Sequence, residues 1–207
     1  KRCRRKSMLE YIRANIEDSI AAKEKLLRDD LLLGTVEKVA QLCVDVYRRG
    51  NKLLICGNGG SASDALHMAG ELVGRYQMER RGIPTIVLNA NTAVMTAISN
   101  DYDYGDVFSK QVAALGKEGD VLFGISTSGN SQNVVKAIQE AGKRRISTVG
   151  LTGQAGGEVQ SCADYQLNVP SDNTPRIQEM HILLIHVICG LIENGLCKQG
   201  FWAEEQG

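Results

Sequence analysis

The chain has 207 residues with 24 basic and 24 acidic side chains, so its net charge is zero. This length fits one domain with a small appendage and buries a core without staples. With 43% hydrophobic and 23% charged residues, the composition excludes wholesale disorder. It also excludes a global basic field that would draw the protein onto nucleic acid or an anionic membrane.

The neutral total hides an asymmetry. The first six residues hold five basic groups and no acid. We expect residues 1–7 to be a disordered basic tail. No apolar run approaches the roughly 18–20 residues of a membrane span, and no apolar stretch follows the basic start as a secretory signal requires. The six cysteines, Cys3, Cys43, Cys56, Cys162, Cys189 and Cys197, form no CxxC pair. They read as reduced thiols in a cytoplasmic protein.

Residues 8–30 predict one long helix, with Leu9, Ile12, Ile16, Ile20 and Leu27 on a single stripe. Leu31–Gly34 reads as a connector, and 35–49 as a second helix that Gly50 stops. These two helices, residues 8–50, have no strand partners. They are expected to pack across a subunit interface or over a sheet edge, as one structural unit with the domain formed by 51–207. From residue 52, short apolar runs alternate with helical stretches. The runs are 53–56, 84–88, 121–125, 146–151 and 165–169. The helices between and after them are predicted to reach Tyr76 and to cover 92–99, 104–115, 130–141 and 174–193, the last opening with Thr174 as N-cap and Pro175 at N1. This order predicts a doubly wound α/β fold on a five-stranded parallel sheet, preceded by two N-terminal helices.

In such a sheet, ligands bind beyond the carboxyl ends of the strands. The loop Cys56–Ser63 carries Gly57, Gly59 and Gly60, which let backbone approach a ligand, and Ser61 or Ser63 to cap the next helix. It fits only the looser dinucleotide fingerprint. The second strand ends at Asn89 rather than at a ribose-binding acid, which disfavours a dinucleotide. The loop Ser126–Ser131 sets four hydroxyls and a glycine between a strand and a helix. That is a phosphate site needing no cation, and it lacks the lysine of a nucleotide-hydrolysing loop. Serines also cap helices, and glycines also make tight turns, so both loops have a purely structural reading.

His67 and Glu71 lie one helical turn apart on one face. Gln178, His181 and His186 lie on the last helix, with His181 on a flank as a structural partner. His67, His186 and a carboxylate converging at one cleft would suit either acid–base chemistry or a zinc-type site.

Four segments occur together and in order: G-N-G-G-S-x-x-D-A-x-H-x-x-x-E-L-x-G-R-Y (57–76), A-I-S-N-D-Y (97–102), G-I-S-T-S-G-N-S (124–131) and R-I-Q-E-x-H-x-x-x-I-H (176–186). Over about residues 8–195 the chain resembles the sugar isomerase (SIS) domain, and within it the phosphoheptose isomerases. The serine loop alone would mark only an SIS domain. His67, Glu71, Gln178 and His186 are what point to the isomerase.

The resemblance implies a flavodoxin-like SIS fold and a cytoplasmic homotetramer with sites between subunits. It implies reversible conversion of sedoheptulose 7-phosphate to D-glycero-D-manno-heptose 7-phosphate, toward bacterial heptose and lipopolysaccharide precursors. It implies that Ser126, Thr127, Ser128 and Ser131 hold the phosphate. Asn58, Gly59, Gly60, Ser61, Asn100, Asp101 and Gln178 would contact the sugar. His67, Glu71, Gln178 and His186 would bind one Zn²⁺ per subunit.

Ketose–aldose isomerisation needs a base for the carbon-bound proton and an acid at the oxygens. Glu71 is the candidate base and His186 the candidate acid. Two other readings compete with this one. One is a non-catalytic SIS tetramer resembling the DnaA initiator-associating protein. The other is a phosphosugar-sensing regulatory domain, which the absence of a helix-turn-helix pattern disfavours. Neither nucleic acid nor membrane is expected as a partner.

Overall fold

A computed structural model describes residues 7–202. The expected basic tail therefore lies outside the described residues except for Ser7. That residue caps the first helix, α1 (Met8–Leu27), through a capping box with Glu10. The helix ends at Leu27, three residues earlier than its periodicity suggests, and α2 (Asp30–Arg48) begins almost at once. The connector expected at 31–34 is helical instead. Asp29 accepts the Leu32 N–H, which starts α2 ahead of the leucine run and sends Leu32 inward.

Five parallel strands follow: β1 (Leu53–Gly57), β2 (Thr85–Val87), β3 (Val121–Ser126), β4 (Ser147–Thr152) and β5 (Tyr165–Asn168), in the order β2-β1-β3-β4-β5. β1 and β3 are buried along their whole length, as expected of inner strands covered on both faces. The order reverses between β1 and β3, which are paired from Leu53↔Val121 to Gly57↔Ile125. The crevice at their carboxyl ends is the switch point where a doubly wound sheet takes its ligand.

α3 (Gly60–Val73) leaves β1, α4 (Thr92–Asp101) and α5 (Ser109–Leu115) precede β3, α6 (Gln132–Lys143) leaves β3, a short α7 (Val159–Cys162) precedes β5, and α8 (Thr174–Lys198) closes the fold. The stretch expected as one helix over 104–115 is a 3₁₀ turn at Tyr104–Asp106 followed by α5. α7 lies in a stretch where the sequence predicts no helix. Thr174 is the first residue of α8 rather than its cap. Asn173 holds the cap position with extended backbone, and Pro175 still sits in the first turn.

One core joins α2, α3 and α8 to the sheet face bearing Ile55, Phe123 and Leu151. The other joins α5, α6 and α7 to the face bearing Leu54, Cys56 and Leu122. Contrary to the expectation that no apolar run approaches a membrane span, α8 has that length and apolar composition, but half of its most apolar stretch is buried inside the fold. α1 differs. Ala22 and Leu26 are buried, while Leu9, Ile12, Ile16, Ile20 and Leu27 are each more than half exposed.

Candidate active site

The serine loop follows β3. Ser131 holds the N-cap position of α6 without capping it. Its hydroxyl lies 2.9 Å from that of Ser126. The hydroxyl pair sits at the N-terminus of α6, where the first helix amides lack intrahelical acceptors, an arrangement that suits an anion. A second loop braces it from behind. Gly153 donates to the Thr127 carbonyl, Val159 to the Gly129 carbonyl, and Glu158 to the Asn130 side chain. Gly129 has φ +69°, and a Cβ there would run into the Gly156 carbonyl. Only glycine meets both conditions.

The serine loop abuts the glycine loop. Asn58 and the buried Asn133 exchange two amide hydrogen bonds of 2.9 Å, and Tyr104 donates to the Asn58 oxygen at 2.8 Å. Ser61, expected as a cap or sugar contact, is buried inside the first turn of α3. Gly59 takes the cap position, and neither Ser61 nor Ser63 caps the helix. Asn100 and Asp101 pair with each other in the exposed last turn of α4.

α3 and α8 lie side by side and run in the same direction. The Gln178 carboxamide lies against Gly60, where a Cβ would displace it. Two turns further, His67 Nε2 meets His186 Nε2 at 2.8 Å. The imidazoles are edge to face, with centroids 4.8 Å apart. Glu71 Oε1 lies 3.1 Å from His67 Nε2. His67, Glu71 and His186 thus place their ligand atoms within 4.8 Å of one another. Gln178 sits at the inner end of the same seam.

Two imidazoles and a carboxylate are the donor set of a catalytic zinc site that keeps an open position. The edges of a tetrahedron around zinc are about 3.3 Å at ordinary Zn–N and Zn–O lengths. The observed separations of 2.8 and 3.1 Å fit after a small opening of the histidine pair, and the widest pair of the set, up to 4.8 Å apart, has to close. The group can hold a metal ion.

Asp64 lies one turn before His67 on the same face of α3. One of its carboxylate oxygens is buried without a hydrogen-bond partner. Burial pushes its carboxyl up to about 6, with His67 pulling the other way. His181 is the structural partner expected of it. It is fully buried against the Thr152 carbonyl at 3.1 Å, and burial lowers its pKa to about 4. The sequence assigns no role to Asp64, Tyr76, Asn133, Arg80 or Glu193. Only the first two fall inside the 57–76 motif, and nothing in the spacing of the others signals their contacts.

The SIS domain family model matches residues 16–153, more than half of the chain. A phosphoheptose isomerase of Aneurinibacillus thermoaerophilus is 48% identical over 94% of this chain and 98% of its own length. A solved phosphoheptose isomerase from Neisseria gonorrhoeae superposes with a TM-score of 0.86 at 42% identity, over 91% of this chain and all of that one. One from Francisella tularensis superposes at 0.88 with 38% identity and the same coverage. The chain belongs to the SIS domain family and, within it, to the phosphoheptose isomerases. It is an enzyme of the sugar-phosphate isomerase class.

Proposed function

We propose that the chain interconverts sedoheptulose 7-phosphate and D-glycero-D-manno-heptose 7-phosphate through a cis-enediol, feeding bacterial heptose and lipopolysaccharide precursor synthesis. The observation that carries this is the Glu71–His67–His186 cluster at the outer end of a seam whose inner end is the glycine loop. Gly60 and His67 are seven residues apart, about 10 Å along α3. An extended seven-carbon chain with a terminal phosphate spans roughly that distance. A phosphate held where the serine loop abuts the glycine loop, at the Gly60 end of the seam, would leave C1 and C2 toward the cluster.

Ser126, Thr127, Ser128 and Ser131 hold the phosphate with the α6 amides. Asn58, Gly59, Gly60, Asn100, Asp101 and Gln178 contact the sugar, and Ser61 supports the loop from beneath. Glu71 takes a proton from C1 of the ketose and, after its carboxyl exchanges with solvent, delivers a proton to C2. His186 gives a proton to O2 and takes one from O1, so atoms and charge balance. A Zn²⁺ held by His67, Glu71 and His186, with Gln178 turned away from Gly60 to reach it, would polarise the carbonyl and stabilise enediolate charge. The imidazole–carboxylate donor set supports zinc over magnesium or calcium.

The exposed apolar stripe of α1, with Leu66 and Val73 of α3 and Leu183, Val187 and Leu191 of α8, supports a homotetramer of this chain with sites at subunit contacts. The core shared by α2, α3, α8 and the sheet supports residues 8–50 and 51–207 acting as one unit. The unpaired Cys43, Cys56, Cys162, Cys189 and Cys197 support a cytoplasmic setting. A purely scaffolding role gives no reason to assemble two imidazoles and a carboxylate in this way.

Glu71→Gln should lower turnover of sedoheptulose 7-phosphate by at least about 10³-fold, with the sedimentation behaviour unchanged. Wild-type turnover in that variant would remove Glu71 from the chemistry.

A further inference from the structure

The segment between α3 and β2, residues 74–84, has no regular structure of its own. It is nevertheless fixed by a buried ion pair. Arg80 and Glu193 side chains are 2% and 1% exposed, with Nε to Oε1 at 2.9 Å. Such a pair survives burial only when its remaining donors and acceptors are satisfied, and here they are. The guanidinium also donates to the carbonyls of Glu71, Leu72 and Gly74 at 2.7, 2.8 and 2.8 Å. These carbonyls belong to the last turn of α3 and the residue that ends it, where acceptors lack helical partners. The carboxylate also accepts the amides of Tyr76, Gln77 and Met78 at 3.3, 2.9 and 3.0 Å. Burial would raise the Glu193 carboxyl, but these amides and Arg80 together hold it below the usual range. The indole of Trp202 lies 5.8 Å from the guanidinium.

The consequence is felt at Tyr76. His186, Gly190 and Glu193 are spaced i, i+4, i+7 and so share one face of α8. Tyr76 lies along that face. Its amide is on Glu193, its ring edge passes over Gly190, and its ring stacks on the His186 imidazole with centroids 5.9 Å apart and 16° between planes. A Cβ at Gly190 would come within 3.2 Å of the ring. His67 meets the same imidazole edge to face. His186 is therefore held between the Tyr76 ring and His67. The Tyr76 hydroxyl makes no hydrogen bond among the described residues.

We propose that Tyr76 is a positioning residue for His186. Its ring keeps the imidazole turned toward His67 and Glu71, and the Arg80–Glu193 pair and Gly190 set the ring. The effect on turnover rests on the isomerase reading, whereas the ring contact does not. Pre-organisation of this kind acts on turnover more than on substrate capture, because a misplaced proton donor slows the step without removing binding contacts.

The test uses the full chain, zinc-loaded, as wild type, Tyr76→Phe, Tyr76→Leu and Gly190→Ala. Two readouts are taken: steady-state kinetics with sedoheptulose 7-phosphate, and the ring signals of ¹³Cε1-labelled histidine. The chain has three histidines, so His186 can be assigned by its loss in His186→Gln, and His181, held against the Thr152 carbonyl, is an internal control.

Tyr76→Leu should lower kcat by at least about ten-fold with KM within about two-fold. It should move the His186 signal and leave His181 in place. Tyr76→Phe should restore both. Gly190→Ala should move the His186 signal and lower kcat without lowering the melting temperature, since alanine is the better helix former. The proposal fails if Tyr76→Leu leaves kcat and the His186 signal unchanged. It also fails if Tyr76→Leu shifts His181 equally while Gly190→Ala behaves as wild type. A wild type that does not turn over the sugar phosphate would overturn the isomerase reading. The histidine signals would still decide whether Tyr76 positions the ring.

Discussion

The serine loop and the histidine cluster are built by opposite means. In the loop, the hydroxyls that face each other are five positions apart. In the cluster, the imidazoles that touch are 119 positions apart. The loop is shaped by one strand end, one helix start and the Gly153–Gly157 turn behind it. The cluster exists only because α3 and α8 pack in parallel and in register, from Gln178 against Gly60 to Glu193 below the end of α3. A local motif can be damaged without disturbing the rest of the sheet. A seam between helices depends on everything that docks α8, from the Arg80–Glu193 pair to the buried His181.

This difference can be broken from either side. The larger effect is expected at the loop. Gly129→Ala must place a side chain at φ +69° and against the Gly156 carbonyl, which should cost about 4 kcal/mol of stability from strain and overpacking combined. In the fraction that folds, KM for the sugar phosphate should rise while bound zinc, measured by elemental analysis, stays near one per chain. Loss of zinc in step with KM would mean that the loop and the seam are one unit.

The smaller effect is expected at the seam and is read by pH. Burial lowers the pKa of His181 to about 4 in the folded chain, against about 6.5 unfolded. The unfolded state therefore binds the extra proton first. This contribution is complete above about pH 6.5 and is lost as pH falls toward 4, up to about 3 kcal/mol. Urea midpoints measured from pH 7 to pH 4.5 should fall, and His181→Gln should flatten that slope.

The sequence carries the fold further than it carries the site. The inner strands β1, β3 and β4 are legible as apolar runs because they are buried on both faces, and the part-buried edge strands β2 and β5 lie within the shorter apolar runs at 84–88 and 165–169. The order of runs and helices then leaves few topologies. Helix boundaries are less legible. Leu31–Leu33 look like a break in periodicity, but Asp29 supplies a cap that starts α2 before them. The short α7 carries too little periodicity to be seen. The stripe on α1 is visible, yet the described residues of one chain leave Leu9, Ile12, Ile16, Ile20 and Leu27 more than half exposed.

At the site, the serine hydroxyls and the His67–Glu71 pair are legible because their spacing is local. That His186 rather than His181 meets His67 depends on how α8 is rotated, which the core packing of Ile185, Ile188 and Ile192 decides. Arg80 and Glu193 are invisible in the sequence, and Tyr76 is seen only as the end of the 57–76 motif, because their meaning lies in contacts about 110 positions apart. A buried arginine in a polar connecting segment looks like any solvated charge until the helix that receives it is placed.

The measurement that bears most directly on the cluster as an isomerase is turnover of sedoheptulose 7-phosphate by the zinc-loaded chain in D₂O, followed by NMR. Proton transfer through an enediol predicts aldoheptose 7-phosphate carrying deuterium at C2. Product with only protium at C2, or no product at all from folded chain, would contradict Glu71 as the base and His186 as the acid.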